Sequence, residues 1–179
     1  MRIYRISHFA DLSGDGGRRA SARWHHKGRP VVYCASNAAA AMLEAIAYIA
    51  RGDPALLPST FQLLEIELPD DVNREIVSLD QLPADWKQNL SHTRSLGDNW
   101  LQLQVTAILV VPSALAPDTT NFLLNPAHPE LLPPGQGKIH IVRVEQYPFD
   151  SRLFEGPQVC FVPLEAVDLP VFNGLAHTP

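Results

Sequence analysis

Apolar and polar positions alternate from the first residues of the chain. Ile3, Arg5 and Ser7 stand against Arg2, Tyr4 and Ile6, which predicts a strand over residues 2–7. Residues 8–27 break the pattern. They are polar and rich in glycine, with Ser13-Gly14-Asp15-Gly16-Gly17, and read as one long loop. That length suits a binding loop, anchored near its far end by Trp24. Residues 29–35 return to an apolar run, Val31-Val32-Tyr33-Cys34, expected as a short buried strand. Ser36 or Asn37 then caps a helix that runs to about Ala50, with Gly52 and Pro54 ending it.

The second half reads as shorter pieces. Residues 61–68 alternate again, Phe61, Leu63, Glu65 and Glu67 against Gln62, Leu64, Ile66 and Leu68, which predicts a half-buried strand. Residues 72–78 could pair beside it. Pro83 starts a short helix over 83–88, and Leu96, Trp100, Leu101 and Leu103 mark an amphipathic helix beginning near Ser95 or Gly97. Residues 106–111 form a buried strand ended by Pro112, residues 121–128 a loop around Asn125-Pro126, and residues 138–144 a late strand. Residues 154–179 show no periodicity. Strands followed by few helices, without strict alternation, predict an α+β fold.

Composition narrows the function. A chain of 179 residues suits one domain with a substantial core. The net charge of −5 leaves no basic footprint for nucleic acid. The start carries no apolar signal core, and the longest apolar stretch, interrupted by Glu44, is too short to span a bilayer. Two cysteines make no disulfide framework, and Cys34 reads as a buried thiol. Seven histidines show no metal-ligand spacing. No Gly-x-Ser-x-Gly elbow, Walker loop or Gly-x-Gly-x-x-Gly fingerprint is present.

Four polar residues are set into the apolar framework. Glu44 lies in Ala-Ala-Ala-Ala-Met-Leu-Glu-Ala-Ile-Ala, with Ala40, Leu43, Ala47 and Tyr48 around it at helical spacing. It either faces solvent or turns into a cleft, where it would need a distant cationic partner such as Arg23. Arg23 either grips a phosphate through its planar fork or belongs to a surface run with Arg18, Arg19, Lys27 and Arg29. These are five of the chain's 14 Lys and Arg residues, a local anion site that Arg5 could join. Tyr33 either stacks on a ring or bonds a ribose hydroxyl, or is a core tyrosine with its hydroxyl at the surface. Ser113, after Ile-Leu-Val-Val-Pro, either bonds a ribose or caps the next turn. Gathered in one cleft, a cation, a phenol, a carboxylate and a hydroxyl could hold a phosphate-bearing substrate and stabilise a developing positive charge.

The order of these pieces carries a resemblance. Tyr4-Arg5, Gly17, Arg23-Trp24, Gly28, the run Val31 to Ala35, Ala41-Met42-Leu43-Glu44, Leu82-Pro83, Trp86, Gly97, Trp100-Leu101, Val111-Pro112-Ser113, Asn121, Asn125-Pro126, His128-Pro129 and Phe149-Asp150-Ser151-Arg152-Leu153 together resemble the RES-domain family. That family is the toxin component of RES–Xre type II toxin–antitoxin systems. The resemblance covers residues 2–153 and leaves 154–179 as a C-terminal extension without an assigned role.

The resemblance implies an α+β fold, a single compact domain similar to ADP-ribosyltransferases, with central β-sheets and flanking helices. It implies a cytoplasmic toxin that degrades NAD by hydrolysis or phosphorolysis of the nicotinamide–ribose bond and so stops growth. NAD would be a substrate, with no cofactor and no metal. The family's catalytic set falls on Arg23, Tyr33, Glu44 and Ser113, and Arg5 and Asn121 match recurrent substrate-binding positions. The implied partners are an Xre-type antitoxin covering the active site, phosphate as a second substrate, and a second copy within a toxin–antitoxin complex. Neither nucleic acid nor membrane is expected. ADP-ribosyl transfer to a protein and a non-catalytic NAD-binding module are the competing readings.

Overall fold

The computed structural model describes residues 1–49, 61–131 and 137–153. Among them, seven strands form one mixed sheet: β1 (Arg2–Ser7), β2 (Val32–Ala35), β3 (Phe61–Glu67), β4 (Arg74–Ile76), β5 (Ile108–Pro112), β6 (Thr120–Leu124) and β7 (His140–Tyr147). Their spatial order is β4-β5-β6-β2-β1-β3-β7. The β4–β5 pair is parallel and the others are antiparallel. Three helices accompany the sheet: α1 (Asp15–Arg19), α2 (Ala38–Ile49) and α3 (Leu90–Leu103). The α+β class holds, with one sheet where several were expected. None of these helices is long and apolar enough to cross a membrane.

Register sorts the side chains onto two faces. Tyr4 pairs with Ala35, Ala35 with Asn121, and Asn121 with Val111, so these four stand side by side on one face. Tyr33, Leu123 and Leu109 continue that face two residues along. It is covered in two parts. At one end Ala40 and Ala41 of α2 pack on Ala35 with Tyr4 and Ile6. At the other, Trp24, Trp86, Trp100 and Leu101 pack on Leu109, Val111 and Leu123. The opposite face holds the larger aliphatic cluster, with Ile3, Val32, Cys34, Leu64, Ile66, Ile108, Val110 and Phe122. Cys34 is buried there as expected, and burial pushes its thiol up to about 12.

Several boundaries differ from the sequence reading. Residues 121–128 are not one loop. Asn121 lies in β6, because pairing with both β2 and β5 overrides the weak strand preference of Asn. The helix expected near Ser95 or Gly97 begins at Leu90, where Asn89 accepts a hydrogen bond from the His92 N–H at 3.2 Å. Its polar first turn hides the apolar period. Residues 84–88 are turns rather than a helix, and they seat Trp86 in the core. The glycine-rich loop contains α1, which is held down by Gly17, where an added Cβ would lie 2.4 Å from the Arg29 carbonyl oxygen. As expected, Asn37 caps α2, accepting from the Ala40 N–H at 2.8 Å.

Contacts divide the chain into a unit of Met1–Pro148 and a unit of Phe149–Pro179. In the second, residues 151–153 form a single 3-10 turn, and Asp150 accepts from Arg152 Nε and Nη2 at 2.9 and 2.7 Å. Residues 154–179, the expected extension, lie outside the described residues, as do the expected helix end near Ala50 and its expected terminators Gly52 and Pro54.

Candidate functional site

Small residues bring α2 close to the sheet. Ala40 and Ala41 pack against Ala35 with no long side chain between. Glu44 follows one turn later on the same side and meets the β5–β6 hairpin. Asn121 Nδ2 donates to Glu44 Oε1 at 2.7 Å, and Ser113 Oγ donates to the same oxygen at 3.0 Å. Ser113 and Asn121 are only 6% and 7% exposed, so both donors are rigidly embedded. Glu44 itself is half-buried, and its Oε2 accepts no hydrogen bond from the described residues and reaches solvent.

The expected cationic partner is absent from this arrangement. Among the described residues no Lys, Arg or His nitrogen lies within ion-pair distance of Glu44. Two neutral donors fix the carboxylate instead. That difference matters chemically, because a salt bridge would cancel the negative charge that neutral hydrogen bonds only orient.

Ser113 has a second task. Its Oγ accepts from the Leu115 and Ala116 N–H groups at 3.2 and 3.1 Å, and its own N–H donates to the Thr119 carbonyl at 2.8 Å. The hydroxyl therefore closes the hairpin turn while spending its one proton on Glu44.

Tyr33 lies on the same sheet face as Asn121, two residues along β2. Its hydroxyl is held by the 20–29 loop. It accepts from the Trp24 N–H at 3.3 Å and lies 2.8 Å from His25 Nδ1. His25 Nε2 lies 3.0 Å from the Ala20 carbonyl oxygen, which can only accept. Nε2 therefore carries the proton, and the Tyr33 hydroxyl donates to Nδ1. His25 is 2% exposed, and burial holds its basicity below the ordinary histidine value. Burial likewise pushes the Tyr33 phenol upward, and the negative charges of Asp98 and Glu44 add to the rise. The phenol stays protonated and works as a donor.

The loop is clamped in turn by one side of α3. Thr93 Oγ1 donates to the Arg23 carbonyl at 2.8 Å, and Arg94 Nε to the Ala22 carbonyl at 2.8 Å. Asp98 accepts from the His26 N–H at 3.1 Å, lies 2.7 Å from His26 Nδ1, and pairs with Arg29 Nε at 3.2 Å. Gly97 is what permits this approach, since a Cβ there would sit 1.8 Å from the Trp24 carbonyl oxygen. Thr93 with Gly97, and Arg94 with Asp98, share four-residue helical spacing, so one face of α3 presents all of them.

The remaining candidates take other places. The Arg23 guanidinium donates to the Lys87 carbonyl at 2.6 Å and lies over the Trp86 ring, 5.7 Å from its centroid. Arg5 alternates with Tyr4 and points to the aliphatic face. There it donates to the Tyr33 carbonyl at 3.1 Å and to Ser7 Oγ at 3.4 Å, while its Nε is buried without a partner. The β1–β2 ladder holds only the Tyr4–Ala35 pair, and Arg5 takes over the neighbouring carbonyl. Arg5 does not join the 18–29 basic run. That run is partly neutralised, Arg18 by Asp15 at 3.3 Å and Arg29 by Asp98. The structure thus unites Glu44, Ser113 and Asn121, sets Tyr33 beside them on the same face, and holds Arg23 and Arg5 through separate contacts. Sequence reasoning missed His25, Thr93 and Asp98. The only signal for the last two was a polar stripe beside the apolar stripe of α3.

A model of the RES domain family matches residues 2–150. Toxin Res of Pseudomonas putida is 45% identical over 154 residues, covering 86% of this chain and 100% of that protein. The Prs ADP-ribosylating toxin of Sphingobium sp. is 40% identical over 147 residues, covering 80% of this chain and 86% of that protein. Among solved structures, the M. tuberculosis MbcT–MbcA toxin–antitoxin complex contains a chain that matches with a TM-score of 0.63 at 21% identity, over 82% of this chain and 84% of that one. At that identity the likeness speaks for the fold.

Proposed function

The chain belongs to the RES-domain family, and from that premise we propose that it is a toxin that consumes NAD by breaking the nicotinamide–ribose bond. The observation that carries this reading is the state of Glu44. Its carboxylate is fixed on one oxygen by two neutral donors, and among the described residues nothing bonds its other oxygen and no cation lies within ion-pair distance.

The chemistry asks for such a group. As the C–N bond breaks, its electron pair leaves with nicotinamide, which departs neutral and needs no general acid. The ribose is left with oxocarbenium character. A fixed, unneutralised carboxylate beside the ribose stabilises that charge without reorganising as it develops. Glu44 Oε2, the oxygen without a hydrogen bond from the described residues, takes that role. Ser113 orients Glu44. The Tyr33 ring is a surface for the nicotinamide end, and its hydroxyl holds the loop that carries Arg23. Arg23 grips the pyrophosphate. An acceptor oxygen, from water or phosphate, then bonds to the ribose carbon and loses a proton to solvent.

A second reading keeps the same first step and changes the acceptor to a protein side chain. The relative named as an ADP-ribosylating toxin favours it. Both readings imply an antitoxin, of Xre type, that covers the Glu44 site in the resting cell.

Purified protein incubated with NAD, with and without phosphate, separates the readings through their products: ADP-ribose, its phosphorylated form, or modified protein. Glu44→Gln places an uncharged amide at the open position, and turnover should fall about 100-fold or more. Unchanged NAD loss in that variant would remove Glu44 from the mechanism.

A further inference from the structure

Deepening the NAD-cleaving reading, on which it rests, we propose that Asn121 is a positioning residue that pins Glu44 Oε1 so that Oε2 alone meets the substrate. Its amide makes the shorter of the two bonds to Oε1, at 2.7 Å. The amide orientation is dictated by chemistry. A flipped amide would set Oδ1 against a carboxylate oxygen, acceptor against acceptor.

The residue is held by its strand. β6 runs between β2 and β5, and Asn121 pairs with Ala35 on one side and Val111 on the other. The side chain is 7% exposed, so it cannot follow Glu44 if the carboxylate drifts.

Stability does not account for an Asn here. Its Oδ1 is buried without a hydrogen-bond partner, an arrangement that weakens a fold and is rare in native proteins. An apolar side chain of similar size would avoid that burden. Of the two N–H donors on Nδ2, the one bond formed among the described residues goes to Glu44, and Oδ1 is closed off from solvent. What remains is its action on Glu44. Ser113 differs, because its hydroxyl also closes the 113–116 turn. Asn121 is the donor with no other task.

Asn121→Leu removes the donor and the unmet acceptor together and keeps the same branched heavy-atom shape. The full chain and this variant are compared in crystal structures, thermal melts and NAD kinetics. The Glu44 carboxylate should leave its Ser113-bonded position or split between two conformers. The melting temperature should be no lower than that of the unchanged protein. For NAD, kcat should fall roughly 10- to 100-fold with KM within about twofold. An unmoved Glu44, or retained kcat, overturns the proposal, as does a raised KM at constant kcat, which would mean that Asn121 binds substrate. If Asn121→Leu fails to fold, Asn121→Ser carries the same comparisons. If the unchanged protein leaves NAD intact, the NAD reading fails by itself. The crystallographic position of Glu44 still decides the role of Asn121.

Discussion

Replacing Tyr33 by Phe removes one oxygen and strands two buried groups. The Trp24 N–H loses its acceptor and His25 Nδ1 loses its donor. Both residues are 2% exposed, so water cannot replace the lost oxygen. Each stranded group costs about 1–3 kcal/mol. The Trp24 bond, at 3.3 Å, is long and belongs at the low end. A loss of about 2–4 kcal/mol follows, while the ring keeps its packing. For a chain of 179 residues that lowers the melting temperature by roughly 5–15 °C. Thermal melts and urea titrations of the two proteins measure the loss, and limited proteolysis should show earlier cleavage within residues 20–29. A Tyr33→Phe protein that melts within about 2 °C of the unchanged one would refute the anchoring role of the hydroxyl. Weakened NAD binding at full stability would assign that hydroxyl to the substrate instead.

Acid should weaken the same anchor. His25 is held neutral by burial, so its folded basicity lies below the ordinary value of 6.5. Between those two values the unfolded chain takes up a proton that the native protein refuses. Stability therefore rises with pH across that window and levels off above it. Melts at stepped pH should show this rise, and a flat profile from acid to neutral pH would contradict the buried neutral assignment. Gly97→Ala sets two effects against each other. Helix propensity favours Ala by about 1 kcal/mol, but the new Cβ meets backbone at 1.8 Å, and such overpacking costs about 1–3 kcal/mol or more. The contact should win, giving a lower melting temperature and an altered 22–29 loop in a crystal structure. A stabilised Gly97→Ala protein would show that α3 can back away from Trp24 freely.

Much of the site was readable in the chain because its signals were local. Glu44 stood out as a lone carboxylate in an alanine-rich helix, and Ser113 as the hydroxyl that follows a buried strand. Asn37 declared itself as a cap. Asn121 was legible only through the family resemblance, since Asn before Asn125-Pro126 suggests a loop. Its strand exists because β2 and β5 flank it, and β2, which supplies its Ala35 partner, lies far from it in sequence. His25 gave no signal at all, being one of two adjacent histidines in a polar run.

The sequence by itself determined the α+β class, most of the strands, the cap of α2 and the polar residue types set into the apolar framework. Those features rest on interactions within a few residues: side-chain alternation, capping and helical spacing. Only the tertiary structure decided who holds whom. It replaced the expected Arg23–Glu44 pairing with two neutral hydrogen bonds to one carboxylate oxygen, turned Arg5 to the opposite face, and tied the Tyr33 hydroxyl to His25. Each of these outcomes depends on strand register and on how closely α2 and α3 approach the sheet. Register and approach are set by the whole packed face, through small residues such as Ala40, Ala41 and Gly97, and no local stretch of sequence contains them.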